Sequence, residues 1–405
     1  MPLGLYISVP FCRTKCSYCN FASDVFSKSA YENYVARLLE DIAGARQLAS
    51  ELGCTLDDSA DSIYLGGGTP SILDASQLLR IFAALHGQFA VTPDAEVTVE
   101  CAPGTLTPAL IGTLLECGVN RVSLGVQSFV DQEAQSVGRL HKRSTVLEEI
   151  DRLRKAGLAN LNIDLIAGLP HQTAESWAFS VSETIAAGVP HVSVYMLEVD
   201  DDSRLGRELI AGGSRYHAHF VPDDDATADF YQQACEMLTA VGIVQYEISN
   251  FARAASPAQN NESRHNLKYW TRQPYVGFGV DAHSFLAADH HQAIRFAAPE
   301  SLEAYMNRAP HTVMPVSAQA AIEESFFLGL RLNRGIDLEC LRKEFSVDAI
   351  AAWDSAIHQC LHDGLLEHKG TILRLTARGR LLSNEVFAGF LNEERKVGTG
   401  HVNPR

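Results

Sequence analysis

The chain has 405 residues, 46% hydrophobic and 20% charged, with a formal net charge of −16. That length can bury a large core and is expected to form two or more domains, and the composition is that of an ordinary globular protein. The acidic balance makes nucleic-acid phosphates and anionic membranes poor partners, and no apolar run reaches the roughly 20 residues that span a bilayer.

The first element is a short strand, Leu5, Tyr6, Ile7, Ser8 and Val9, rich in β-branched and aromatic residues. Pro10 ends its ladder because it has no N–H to donate. Three of the nine cysteines follow on one loop, Cys12, Cys16 and Cys19. The N-terminal apolar stretch is too short for a cleavable leader and feeds this loop, so a cytoplasmic setting with reduced thiols is expected. The odd cysteine count speaks against a disulfide framework. Thiolates at spacings of four and three suit zinc, copper(I) or an iron–sulfur cluster. A structural zinc site closes with four ligands, and no local fourth appears, since position 21 is Phe. An iron–sulfur cluster can leave one iron without a protein ligand. Three unrelated core cysteines are the remaining alternative.

Helical periodicity over 31–52 stops at Gly53, and a strand over 61–65 runs into Gly66, Gly67, Gly68, Thr69, Pro70 and Ser71. Consecutive glycines let backbone approach a ligand closely. The pattern continues with helix 75–85, strand 96–101, helix 108–117, strand 121–127, a helical segment 131–157, strand 161–166, helix 174–187 and strand 191–197. Six alternating units imply parallel pairing and a partial (β/α)6 barrel over 1–200, with ligand-binding groups at the C-terminal strand ends. Those ends carry Gly66 to Thr69, Glu100, Gln127 and Asp164.

An α+β extension is expected over 201–315: a helix, a mobile loop with His217 and His219, and an acidic start to a helix over 226–241. A strand over 245–248 and a polar loop over 252–259 lead to His265, Asn266, Leu267, Lys268, Tyr269 and Trp270. A histidine beside flat aromatic surfaces suits an iron porphyrin, although alone such a run is more often packing. Over 316–392, helices 323–332, 338–344 and 349–363 precede a hairpin turning at Lys369 and Gly370, a winged-helix-like C-terminal domain. Eleven Lys and Arg against ten Asp and Glu over 331–405 give it no basic footprint for DNA. The tail over 393–405 lacks periodicity and is expected to be disordered.

The Cys-x3-Cys-x2-Cys pattern, with Tyr18 before the last cysteine, resembles the radical S-adenosylmethionine (SAM) superfamily. The resemblance implies a 4Fe–4S cluster on Cys12, Cys16 and Cys19, with SAM chelating the fourth iron. It also implies SAM contacts at Tyr6, Gly67, Gly68, Thr69, Glu100, Gln127, Arg139 and Asp164. His265 to Trp270 matches the HNxxYW motif of the HemW group of heme chaperones, and 277–285 is similar to that group's GxGAHS-type segment, which includes His283. Heme binding is thereby implied at His265, Asn266, Tyr269 and Trp270, on a mobile segment outside the rigid barrel. Heme-accepting proteins are the implied partners, with transient contact to membrane heme proteins and a homodimer both open. The related coproporphyrinogen III dehydrogenases carry a further cysteine two residues after the third and an N-terminal arm. This chain has Phe21 and enters its first strand at once, so heme carriage is favoured over that oxidative decarboxylation, and no catalytic residue is assigned.

Overall fold

The computed structural model describes residues 1–253, 261–288 and 293–391; the tail over 393–405 lies outside these residues. Its first half alternates strand and helix: β1 (Leu3–Val9), α1 (Lys28–Glu51), β2 (Ser59–Gly67), α2 (Ala75–Gln88), β3 (Ala90–Cys101), α3 (Pro108–Glu116), β4 (Arg121–Gln127), α4 (Asp131–Ser136), α5 (Arg143–Lys155), β5 (Leu161–Ala167), α6 (Ala174–Ala186) and β6 (His191–Met196). The helices start where side chains can satisfy orphan amides. Asp74 and Gln77 form a reciprocal capping box on α2. Thr107 caps α3, with Pro108 in its first turn, and Thr173 caps α6. The buried face of α1 is Tyr31, Tyr34, Val35, Leu38, Ile42, Ala45 and Ala49, which recur at helical spacing.

After β6 come α7 (Arg204–Ala211), α8 (Asp224–Ala240), β7 (Ile243–Gln245), β8 (Asn250–Arg253), α9 (Arg264–Trp270), β9 (Tyr275–Phe278), β10 (His283–Leu286), β11 (Ala293–Ala297), α10 (Leu302–Met306) and β12 (Thr312–Val316). All the strands so far join one sheet, in the order β12-β11-β10-β9-β1-β2-β3-β4-β5-β6-β8-β7. β1 to β6 are parallel neighbours, as the six-unit reading expects. The sheet does not close. β9 lies parallel on the free side of β1, and β8 lies antiparallel on β6.

The two faces of this sheet differ, and the strand period of two explains why. Leu5, Ile7, Val9, Ile63, Leu65, Val97, Val99, Val122, Leu124, Ile163 and Leu165 belong to one apolar core with the helices. Their neighbours in sequence, among them Tyr6, Ser62, Tyr64, Thr98, Glu100, Ser123, Asn162, Asp164 and Ser193, take the concave face. Parallel strands covered on both sides normally read as continuous apolar runs. The alternation here leaves a polar interior.

The C-terminal part contains α11 (Ala318–Gly329), β13 (Ile336–Asp337), α12 (Leu338–Phe345), α13 (Val347–Ala351), α14 (Asp354–His362), β14 (Leu366–Lys369), β15 (Ile372–Leu375), α15 (Ala377–Leu381) and α16 (Ser383–Ala388). The order helix, strand, helices, hairpin is that of a winged helix, with a β13-β15-β14 sheet. Phe326, Trp353 and Phe390 centre its separate core, and Phe326 stacks on Phe390 with ring centroids 4.6 Å apart. Among the described residues no helix is long and apolar enough to cross a membrane.

Three local readings change. The helix over 131–157 is two helices, split where Gly138 takes a φ of 88°. The strand over 245–248 is instead the antiparallel pair β7 and β8. The long helix near 349–363 breaks between α13 and α14. The polar loop over 252–259 lies mostly outside the described residues.

Candidate functional site

The cysteine loop leaves β1 at the C-terminal end of the parallel strands and is tied down on several sides. Lys15 Nζ donates to the carbonyls of Phe21 and Ser23, each at 2.6 Å. The Ser17 amide donates to Val137 O, and Thr14 Oγ1 to Gly138 O. The glycine run of β2 is stitched to the same loop, since the Gly68 amide donates to Val9 O and the Thr69 amide to Phe11 O, both at 2.8 Å. A Cβ at Gly68 would lie 2.7 Å from Phe11 O and 3.0 Å from Cys12 Sγ. Glycine is required here by space, and the strand end lies flush against the first thiol.

Cys12, Cys16 and Cys19 are free and partly buried. Burial pushes the Cys19 thiol up, while Lys15 favours its thiolate. Among the described residues no three His, Cys, Asp or Glu side chains converge on a single-ion cage. A multi-iron core does not need its thiolates to meet at one point. The chemistry of three thiolates around a space kept open by Gly68 fits such a core.

Along the concave face, four of the predicted residues come together beside this loop. Tyr18, Cys16, Asp164 and Cys19 are titratable neighbours of the Arg139 guanidinium. A Cβ at Gly125 would lie 2.9 Å from Arg139 Nη2 and 3.3 Å from Gln127 Nε2, so a bare strand lets both side chains lie over it. Gln127 itself sits at a register irregularity of β4 with a φ of 68°. Its Oε1 and Arg139 Nε are buried without a hydrogen-bond partner. Such groups are costly unless something else satisfies them. Asp164 accepts from Ser123 Oγ at 3.0 Å and Asn162 Nδ2 at 2.7 Å. Burial raises its pKa despite these donors. Glu100 accepts from the Tyr64 hydroxyl at 2.8 Å, and burial pushes its carboxyl up to about 7. Together these residues offer carboxylates for hydroxyl or ammonium groups and a guanidinium for a carboxylate. Tyr6 is on the same face, its ring 6.2 Å from Tyr64.

The HNLKYW segment lies at the other end. Helix α9 closes the N-terminal mouth of the parallel strands, with Ser263 as its N-cap. His265 is 1% exposed, and both ring nitrogens are engaged, Nδ1 with Ser62 Oγ at 3.1 Å and Nε2 with Tyr269 OH at 2.8 Å. Burial, with Lys268 close by, pushes this imidazole down to about 3, so it is neutral near pH 7. Lys268 Nζ pairs with Asp61 Oδ1 at 2.8 Å and donates to Pro2 O at 2.9 Å. Trp270 lies under the Arg331 guanidinium, 4.3 Å from the ring centroid. The expected mobile segment outside the barrel is therefore corrected to a packed floor, because His265, Lys268 and Trp270, three of its six side chains, bury against strand starts and α11. Asn266 is only partly buried. His283, by contrast, has a side chain 52% exposed, at the start of β10.

The sequence reading missed Tyr64, whose parity with Ser62 and Gly66 on β2 already turned it inward. It also missed the Ser123, Asn162 and Ser193 hydroxyl–amide network that holds Asp164; the two-residue spacing of Asn162 and Asp164 was the available signal. His217 lies in a loop as read, its Nδ1 3.1 Å from His171 Nε2.

Residues 6–181 match the family model of the radical SAM superfamily, and residues 316–382 that of the HemN C-terminal domain. The chain is 32% identical over 397 residues to heme chaperone HemW of Lactococcus lactis, covering 97% of this chain and 98% of that protein. It is 31% identical over 395 residues to heme chaperone HemW of Bacillus subtilis, covering 96% and 99%. In fold it is similar to the coproporphyrinogen III oxidase HemN of Escherichia coli, a radical SAM enzyme, with a TM-score of 0.81, 22% identity, and 96% of this chain and 90% of that chain covered. By its near-full-length identity with these chaperones, this chain belongs to the HemW family within the radical SAM superfamily.

Proposed function

We propose that this protein binds heme and passes it to acceptor proteins, and that it holds a 4Fe–4S cluster on Cys12, Cys16 and Cys19 with SAM beside it. The observation that carries the heme reading is identity along almost the whole chain with proteins named heme chaperones. The likeness to the coproporphyrinogen III oxidase is 22% in sequence and speaks for the fold. The position two residues beyond Cys19 is Phe21, 47% exposed, which supports a non-oxidative role.

The three thiolates and the Gly68 gap support the cluster, which when bound supplies an iron open to a non-protein ligand. Gly67, Gly68 and Thr69 would line one side of SAM, with Tyr6, Glu100, Gln127, Arg139 and Asp164 along the rest. The unpartnered Gln127 Oε1 and Arg139 Nε support a polar ligand there.

Two imidazoles, His265 and His283, are the candidate heme ligands. Ligation by His265, with Asn266, Tyr269 and Trp270 against the porphyrin, requires α9 to leave the barrel floor, because both ring nitrogens are taken. His283 needs no such movement. Anaerobic heme titrations of the wild type, His265→Ala and His283→Ala test this directly. The expected result is saturable heme binding by the wild type, with a shifted Soret band and at least tenfold weaker binding in one variant. If both variants bind like the wild type, neither imidazole is the ligand.

A further inference from the structure

The two ends of the barrel are joined through its interior by a continuous set of contacts. At one end, Glu100 is partly buried beside the glycine run and accepts a hydrogen bond from Tyr64 OH at 2.8 Å. A Cβ at Gly66 would lie 3.0 Å from the Glu100 carboxyl group, so the carboxylate has little room to turn. Tyr64 is in turn fixed by its ring, which stacks on His265 with centroids 5.3 Å apart and planes at 30°. Tyr6 flanks both, 6.2 Å from each ring. At the other end, Ser62 and Tyr269 clamp the two nitrogens of His265, and the ion pair of Lys268 with Asp61 locks the helix that carries them. Gly4 makes this seating feasible, since a Cβ there would lie 2.8 Å from Lys268 Cδ and 3.1 Å from His265 Cε1.

We propose that His265 and Tyr64 are positioning residues for SAM: the HNLKYW helix sets the Tyr64 phenol, and the phenol aims the Glu100 carboxylate at the ligand. This deepens the SAM-site reading above and rests on it. A bound ligand's hydroxyl or ammonium group needs a carboxylate oxygen at one fixed place. Tyr64 OH on Oε1, together with the Gly67 amide that also donates to the carboxyl group, holds the carboxylate in one orientation. Without the imidazole beneath it, Tyr64 has a void to relax into, and the carboxylate loses its orientation at an end of the sheet that His265 never touches.

The test is SAM affinity, measured by calorimetry on the anaerobically reconstituted protein, for Glu100→Gln, Tyr64→Phe, His265→Ala and the Tyr64→Phe/His265→Ala double variant. Tyr64→Phe keeps the ring and its stacking, so its melting temperature should stay near that of the wild type while SAM binds about tenfold more weakly. His265→Ala should weaken SAM binding about three- to tenfold, and the double variant no further than Tyr64→Phe alone, because both act through one hydroxyl. Glu100→Gln separates the two levels of the argument. If it binds SAM like the wild type, the SAM-site reading falls and takes this proposal with it. If it binds weakly while Tyr64→Phe binds normally, or if the two single effects add in the double variant, the SAM site stands and this proposal is overturned.

Discussion

Replacing any one of Cys12, Cys16 and Cys19 with Ala should leave the protein unable to hold its cluster after anaerobic reconstitution. Iron and sulfide should fall from about four each per chain to near zero, together with the sulfur-to-iron charge-transfer absorbance. The loss should be nearly complete because only two thiolates of the loop remain to hold the irons. The fold should survive. Lys15, Thr14 and Ser17 hold the loop through backbone carbonyls that do not involve the thiols. Far-ultraviolet circular dichroism should therefore match the wild type. A variant that keeps full iron and sulfide would remove that cysteine from the ligand set.

Lys268→Met should lower the thermal midpoint more than any single change on the exposed surface. The stem of Lys268 is buried, and its ammonium group pairs with Asp61 and caps Pro2 O. Methionine keeps most of the stem volume but leaves the Asp61 carboxylate without its cation. Breaking a buried pair by removing one partner costs about 3–5 kcal/mol; Asp61 is 22% exposed, which places the expected cost near about 3 kcal/mol. Adding Asp61→Asn to Lys268→Met should recover part of the loss, because the orphaned charge is gone. Unchanged melting in Lys268→Met would mean that α9 is not held to the barrel floor by this pair.

The parallel core was legible because β1 to β6 carry one apolar residue at every second position and the helices between them start at capping residues. The same periodicity placed Glu100, Gln127 and Asp164 at strand ends, and the structure brings them beside the cysteine loop. Arg139 was reached through resemblance, since its place depends on the break at Gly138 between α4 and α5. The floor was not legible. Nothing in the local sequence of HNLKYW says that Gly4, Ser62 and Asp61, some two hundred residues or more away, leave a slot for its histidine and lysine. A motif with an imidazole and two aromatics reads equally as a ligand set or as packing, and only the tertiary fold shows both nitrogens of His265 taken. The added strands β9 to β12 were hidden for a similar reason. They are short, and the pairing of β9 with β1, on which β10 to β12 build, is settled by long-range register.

The account turns on heme being carried and not made, and one side-by-side measurement on the anaerobically reconstituted protein decides it. Heme-loaded protein is mixed with an apo-hemoprotein acceptor, and a second sample receives coproporphyrinogen III, SAM and a reductant. The expected result is a Soret band that moves to the acceptor's position in the first sample and unchanged coproporphyrinogen III in the second. Failure to bind or release heme, or conversion of coproporphyrinogen III, would contradict it.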